Sequence, residues 1–316
     1  MTDALPRLCD IESAAARLGE KIRHTPTLDI HGDELGIPAR VVLKLELLQH
    51  TGSFKARGAL NSVMSLAADA PGIPAPAAVT AASGGNHGAA VAWAARRSGL
   101  SADVFVPGTS TPAKLERIRE YGANLHLVDG DVGDALDACR EFSERQGVPL
   151  IHPYDTRETV CGAGTVGLEI ANQVPDAELV LLGCGGGGLY AGVATALADK
   201  AKVQPVEPEL CPHLDRAVAA GGPVLHVSAG LAADSLGPPQ IGRLAYEVAT
   251  SHGTSSVLVN EDALVAARRF LWQRVRVLAE PGASVALAAL MSGQVRPRAG
   301  STVVVVVSGG NNPTIP

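Results

Sequence analysis

Leu179-Val-Leu-Leu-Gly-Cys-Gly-Gly-Gly-Gly-Leu189 decides the fold. Four apolar residues bounded by glycine read as a buried strand, the run Leu189 to Ala198 reads as a helix, and a glycine loop joins them. A strand that turns straight into a helix is half of a β-α-β unit, the connection that parallel strands require. Working outward, short β-branched or apolar runs recur at Val41–Leu45, Ala78–Ala81, Val104–Val106, Asn124–Val128, Lys202–Val206 and Thr302–Val307, with helical stretches between them. Together with Leu179–Leu182 they predict an α/β protein with mainly parallel sheets covered by helices on both faces.

The 316 residues, 46% of them apolar, suffice for one large or two modest cores. Pro71-Gly-Ile-Pro-Ala-Pro76 is rich in helix breakers and separates a helix from the next strand, as an interdomain crossover would. The expected division is a small domain over residues 77–150 and a large one from residues 1–76 with 151–316. A net charge of −6 without a block of like charges gives no footprint for nucleic acid or an anionic membrane. Cys9, Cys139, Cys161, Cys184 and Cys211 are scattered without C-x-x-C spacing, which fits reduced thiols in the cytoplasm and no structural zinc site. Asp3, Asp10, Glu12 and Glu20 interrupt the N-terminal stretch, so no signal peptide is expected. The most apolar runs, Thr302–Val307 and Ala283–Met291, fall far short of the ~20 residues of a membrane helix.

Four loops carry chemistry. Thr51-Gly-Ser-Phe-Lys-Ala-Arg-Gly-Ala59 lies between a strand ending near Glu46 and a helical run Ala59–Ala68, which puts Lys55 near a strand-to-helix turn. The chain has six lysines against 20 arginines, so a lysine between Phe54 and Ala56 stands out, although a solvated surface lysine reads the same way. Ser83-Gly-Gly-Asn-His-Gly88 precedes a helix Ala89–Arg97; its glycines let backbone approach a ligand, and N–H groups at the helix start favour a carboxylate, the alternative being a plain tight turn. In Gly183–Gly188, four successive glycines lose entropy that an ordinary turn need not lose, and their N–H groups can wrap a phosphate. The stretch lacks the Gly-Lys-Ser/Thr of a P-loop. Ser308-Gly-Gly-Asn311 follows the last strand. Ligands of open α/β sheets bind at the carboxyl ends of strands, where a single crevice could collect all four loops.

In this ordered set, S-F-K-x-R-G-A at Ser53–Ala59, S-x-G-N-H at Ser83–His87, the tetraglycine loop and S-G-G-N at Ser308–Asn311, the chain resembles the fold-type II pyridoxal-phosphate enzymes, the fold of the tryptophan synthase β chain. Within them it resembles the serine/threonine dehydratase and serine racemase branch, from Arg23-His-Thr-Pro26 to the end of the fourth motif. The related cysteine and threonine synthases usually have Asp where this chain has Ala56. The resemblance implies that Lys55 carries pyridoxal 5′-phosphate as a Schiff base and serves as the catalytic base. Phe54 would pack beside the ring, Asn86 would bond its 3′-oxygen, Gly185, Gly186, Gly187 and Gly188 would hold the phosphate, and Ser308 would face the pyridine nitrogen. Ser83, Gly85, Asn86 and His87 would receive the substrate carboxylate. A free lysine has a pKa of ~10.4, so desolvation and the cofactor must lower it before it acts as a base.

The implied reaction is dehydration and deamination of a small hydroxy-amino acid such as L-threonine or L-serine to a 2-keto acid and ammonia. Alternatives are β-replacement, racemisation or elimination on a bulkier amino acid, and a non-catalytic cofactor-binding relative. In the racemase a serine stands where this chain has Gly84, which disfavours racemisation here. Many relatives hold a divalent cation through E-P-x-x-A-x-D; the matching Glu207-Pro-Glu-Leu-Cys-Pro-His213 keeps Glu207 but puts His213 in place of a carboxylate. A hard cation is poorly served by His, so Glu207 reads first as an ordinary strand-end charge, with a Mg²⁺ or Ca²⁺ held there as the alternative. The chain is expected to lack the appended regulatory domain of biosynthetic threonine dehydratases, and relatives imply a homodimer.

Overall fold

A computed structural model describes residues 4–68, 76–312 and 314–316. Among them are nine strands: β1 (Thr27–Ile30), β2 (Arg40–Lys44), β3 (Ala78–Ala82), β4 (Ser101–Pro107), β5 (Asn124–Val128), β6 (Ala177–Gly183), β7 (Lys202–Pro208), β8 (Val257–Val259) and β9 (Thr302–Val306). They form a six-stranded sheet in the order β1-β2-β9-β6-β7-β8 and a three-stranded sheet in the order β3-β4-β5. Only β1 runs antiparallel to its neighbour. Every strand expected from sequence is present. The two that the periodicity does not single out, β1 and β8, are short edge strands of four and three residues, where one side of the ladder is free and burial leaves little pattern.

Strand β9, last in the chain, lies between β2 and β6, and its five residues are all buried. Its side chains alternate between two cores. Val304 and Val306 join Val42, Val180, Leu182 and the helices Arg157–Gln173 and Gly188–Leu197. Val303, Val305 and Val307 join Val41, Leu43, Leu181 and the helices Glu261–Phe270 and Pro281–Met291. A third core fills the three-stranded sheet, where Ala59, Leu60 and Val63 of the helix Lys55–Ala68 meet β3, β4 and the helix Asn86–Arg97. The helix carrying Lys55 therefore touches both sheets' surroundings. It crosses the helix Arg157–Gln173 closely enough that a Cβ on Gly162 would lie 2.8 Å from the Gly58 Cα.

Residues 71–75 of the helix-breaking segment lie outside the described residues. After the three-stranded sheet the chain returns along its edge: Ile151 N donates to Thr80 O (2.8 Å) and Thr80 N to Pro149 O (2.9 Å). This sets the segment His152–Asp155 in the crevice between the sheets. Among the described residues no helix is long and apolar enough to cross a membrane.

Candidate active site

The loops at the carboxyl ends of β2, β3 and β9 are joined to one another by hydrogen bonds. Ser53 and Gly309 form an antiparallel bridge, Phe54 N donates to Ser308 O (3.0 Å), and Gly310 N donates to Gly52 O (3.0 Å). This pairing holds the chain extended as far as Phe54, and the helix starts at Lys55 itself, four residues before the apolar pattern predicts. The pattern starts late because the first turn buries Arg57 among charges, not among hydrocarbons. Ser308, 6% exposed, is thereby paired with Phe54, the residue before Lys55.

The Lys55 amine donates to Pro153 O (2.7 Å) and lies 5.1 Å from the Phe54 ring centroid. Burial lowers its pKa to about 8, against an opposing pull from Glu280. The amine is thus partly neutral near physiological pH. It is held by a carbonyl, which leaves its lone pair available when the proton is gone.

In the Ser83–Gly88 loop, Gly85 N donates to Ser83 Oγ (3.2 Å), so the Ser83 hydroxyl proton remains free for a ligand. The Asn86 side chain is shared across the crevice: its Nδ2 donates to Glu280 Oε1 (2.8 Å), and its Oδ1 accepts from Asn311 Nδ2 (2.6 Å). Asn311 Nδ2 spends its second hydrogen on Thr51 O (2.8 Å), whereas the second hydrogen of Asn86 Nδ2 is uncommitted. His87 is buried with Nε2 2.8 Å from Ile151 O, which makes Nε2 the protonated nitrogen. Burial, then the nearby Lys55, lowers its pKa to about 3, so it is neutral throughout the working range.

Each glycine of the tetraglycine loop faces protein on its missing side-chain direction. A Cβ on Gly186 would lie 2.3 Å from the Tyr154 ring, and Gly187, at φ +83°, would put one 2.3 Å from the Ala245 Cβ. Among the described residues the amides of Gly185, Gly186, Gly187 and Gly188 donate to no other group, and the helix Gly188–Leu197 that they lead into has no side-chain cap. Tyr154 ties this loop to Lys55, since the preceding carbonyl, Pro153 O, holds the amine. The His152–Asp155 turn is itself pinned: His152 Nδ1 accepts from Asp155 N (2.9 Å), and both Asp155 carboxylate oxygens accept from Arg243 N (3.0 Å) and Leu244 N (2.9 Å) at the start of the helix Arg243–Ser251. Gly242 N then donates to Gly186 O (3.0 Å), closing the circuit.

Sequence reasoning missed Glu280. Its carboxyl is buried and its pKa raised by that burial, with Asn86 opposing. The space a Cβ would need on Gly309 lies 2.2 Å from Glu280 Oε1, which accounts for the first glycine of S-G-G-N. The available signal was an acid directly before Pro281 and an uncharged helix, the usual place of a capping residue. Also missed was the charge cluster beneath Lys55. Arg57 Nε and Nη2 grip Glu46 (2.8 and 2.7 Å) while Nη1 reaches Glu169 (2.6 Å); Lys44 Nζ meets the other Glu169 oxygen. Arg57, Glu46 and Lys44 are wholly buried.

Glu207 corrects its expected reading as an ordinary strand-end charge. It is fully buried, and its two oxygens accept from Leu214 N (2.8 Å) and Asp215 N (3.0 Å) at the start of the helix His213–Ala220. Burial raises its pKa to about 7, with those two amides opposing. His213 turns Nε2 to Ser228 Oγ (3.0 Å). Among the described residues no three His, Cys, Asp or Glu side chains are grouped to hold a metal ion.

Comparison with known proteins finds relatives over almost the whole chain. The family described as pyridoxal-phosphate dependent enzyme matches residues 18–309. The phenylserine dehydratase of Ralstonia pickettii is 37% identical over 98% of this chain and 94% of that protein. The L-threonine ammonia-lyase of Geobacter sulfurreducens is 34% identical over 95% of this chain and 74% of its own length. Maize serine racemase superposes with a TM-score of 0.90 at 29% identity, covering 98% of this chain and 94% of that one.

Proposed function

The chain belongs to the pyridoxal-phosphate-dependent enzyme family, and from that premise we propose that it eliminates the β-hydroxyl and then the amino group of a 3-hydroxy-amino acid, giving a 2-keto acid and ammonia. The residues fit the cofactor. The Lys55 side chain is half-buried with its amine held by a carbonyl; the amides of the glycine loop are unpaired at an uncapped helix start; and Asn86 has an uncommitted hydrogen. In this reading Lys55 binds the cofactor, Phe54 lies beside its ring, and Asn86 serves its 3′-oxygen. Gly185–Gly188 hold its phosphate, and Ser308 faces its ring nitrogen. Residues 77–150 form the smaller domain, and the loop Ser83–His87 takes the substrate carboxylate.

The bound cofactor supplies an electron-withdrawing ring that stabilises negative charge at the substrate Cα. The carrying observation is the Lys55 amine held by Pro153 O (2.7 Å) beside the Phe54 ring: with burial lowering its pKa, once displaced by substrate it can take the Cα proton near neutral pH. The resulting ammonium can return that proton to the departing β-oxygen. Water is lost, and the enamine that leaves is hydrolysed by water to keto acid and ammonia. His87, neutral and anchored to Ile151 O, keeps the Ser83–Gly88 loop rigid without adding charge.

L-Threonine and L-serine are the first substrates we propose. Similarity to phenylserine dehydratase, together with the Phe54 ring 5.1 Å from the Lys55 amine, favours a second reading in which the β-substituent is aromatic. A keto-acid and ammonia assay over L-serine, L-threonine and L-threo-3-phenylserine decides between them. No keto acid from any of the three would reject elimination.

A further inference from the structure

Gly84 has no backbone reason to be glycine, because its φ is outside the left-handed region. What a side chain there would meet is Ser110: a Cβ on Gly84 would lie 2.6 Å from Ser110 Oγ and 3.4 Å from Ser110 Cβ. Ser110 ends the turn that follows β4, with its N donating to Pro107 O (2.9 Å). The turn lies next to the Ser83–Gly88 loop because β3 and β4 are parallel neighbours, a pairing that continues into Ser83 N donating to Phe105 O (3.0 Å). Ser110 is half-buried, and among the described residues its hydroxyl has no hydrogen-bond partner. The glycine at 84 is thus the opening through which a hydroxyl from the next strand reaches this loop.

We propose that Ser110 is a substrate-binding residue whose hydroxyl donates to the carboxylate of the bound amino acid. The inference rests on the assignment of the Ser83–His87 loop to that carboxylate. Ser83 and Ser110 then supply two hydroxyl donors from the ends of adjacent strands. Ser83 has its oxygen occupied by Gly85 N and its proton free; Ser110 is uncommitted in both respects. A ligand with an amine but no carboxylate gains nothing from Ser110, which separates a binding role from a structural one.

The test uses holoenzyme and two probes that have no β-hydroxyl to lose, glycine and glycinamide, with binding read from the change in the cofactor's visible absorbance. Ser110→Ala is expected to weaken glycine by about ten- to a hundredfold, the worth of a hydrogen bond to a charged group, and to leave glycinamide unchanged. Ser110→Thr, which keeps the hydroxyl, should bind glycine nearly as the unmodified enzyme does. Gly84→Ala should weaken glycine by pushing Ser110 aside, and should do so much less in the Ser110→Ala background. Equal glycine affinity with and without the hydroxyl, or parallel losses for glycine and glycinamide, overturns the proposal. The outcome is separable from that of the substrate panel: a glycine-specific loss in an enzyme that forms no keto acid would reject the elimination and leave Ser110 in place.

Discussion

Replacing Arg57 with alanine is expected to destabilise the protein by about 3–5 kcal/mol, the cost of leaving a buried charge without its partner. Arg57 makes three of the close contacts to Glu46 and Glu169, and neither Arg57 nor Glu46 is exposed at all. Burial pulls the guanidinium's pKa down, but the two carboxylates raise it by more, so the cation is fully present. Its removal leaves Glu46 with Thr25 Oγ1 as its remaining side-chain donor, and Glu169 with Lys44. Water cannot take over at Glu46, which is wholly buried. Against a typical total of about 5–15 kcal/mol, the variant would sit near the margin, with its melting temperature lower by on the order of 10 °C. The assay is urea unfolding of the holoenzyme, followed by circular dichroism. Glu46→Gln combined with Arg57→Met should recover part of the loss, because the uncompensated charge and not the missing attraction dominates. A loss for Arg57→Ala below about 1 kcal/mol, the worth of a solvated pair, would refute the reasoning, as would a double variant less stable than the single one.

Lys55→Ala should abolish both the yellow colour of the holoenzyme and turnover; an unchanged visible spectrum would move the cofactor to one of the other five lysines. Because the Lys55 pKa lies at about 8, its neutral fraction grows with pH, and apoenzyme should capture pyridoxal phosphate faster as pH rises between about 7 and 9; a flat profile contradicts this. With both Glu207 oxygens taken by backbone amides, EDTA should change activity little, and loss of activity restored by Mg²⁺ would show a working cation site. L-Serine, if accepted, should yield very little D-serine by chiral chromatography. Gly84→Ser alone should not change that, since the new side chain collides with Ser110, whereas Gly84→Ser with Ser110→Ala should raise it; abundant D-serine from the unmodified enzyme would show another donor.

The sequence carries what repeats or punctuates. The parallel strands announce themselves as apolar runs because both their faces are buried, and the four glycine-marked loops because backbone must pass close to something. What that something is lies outside local pattern. Gly186 reads as a phosphate ligand, yet its missing side chain makes room for Tyr154; Gly309 makes room for Glu280, and Gly84 for Ser110. Each partner comes from a different element and carries no spacing signal relative to its glycine. The Glu46–Arg57–Glu169–Lys44 cluster is illegible for a related reason: charged residues ordinarily mark solvent, and only three-dimensional neutralisation lets Glu46, Arg57 and Lys44 enter the core, with Glu169 at its margin.

The pairing of Gly52–Phe54 with Ser308–Gly310 sets an order of events during synthesis. The strand that completes the six-stranded sheet, β9, is made last and slots between β2 and β6. Until it leaves the ribosome, those two strands present unpaired edges, and the segment leading into Lys55 has no opposite chain to hold it straight. Contacts of such long sequence separation form slowly and leave aggregation-prone edges exposed meanwhile. Capture of the cofactor by a properly oriented lysine therefore belongs after translation, and a nascent chain stalled before Thr302 would be an adhesive fragment unable to retain it.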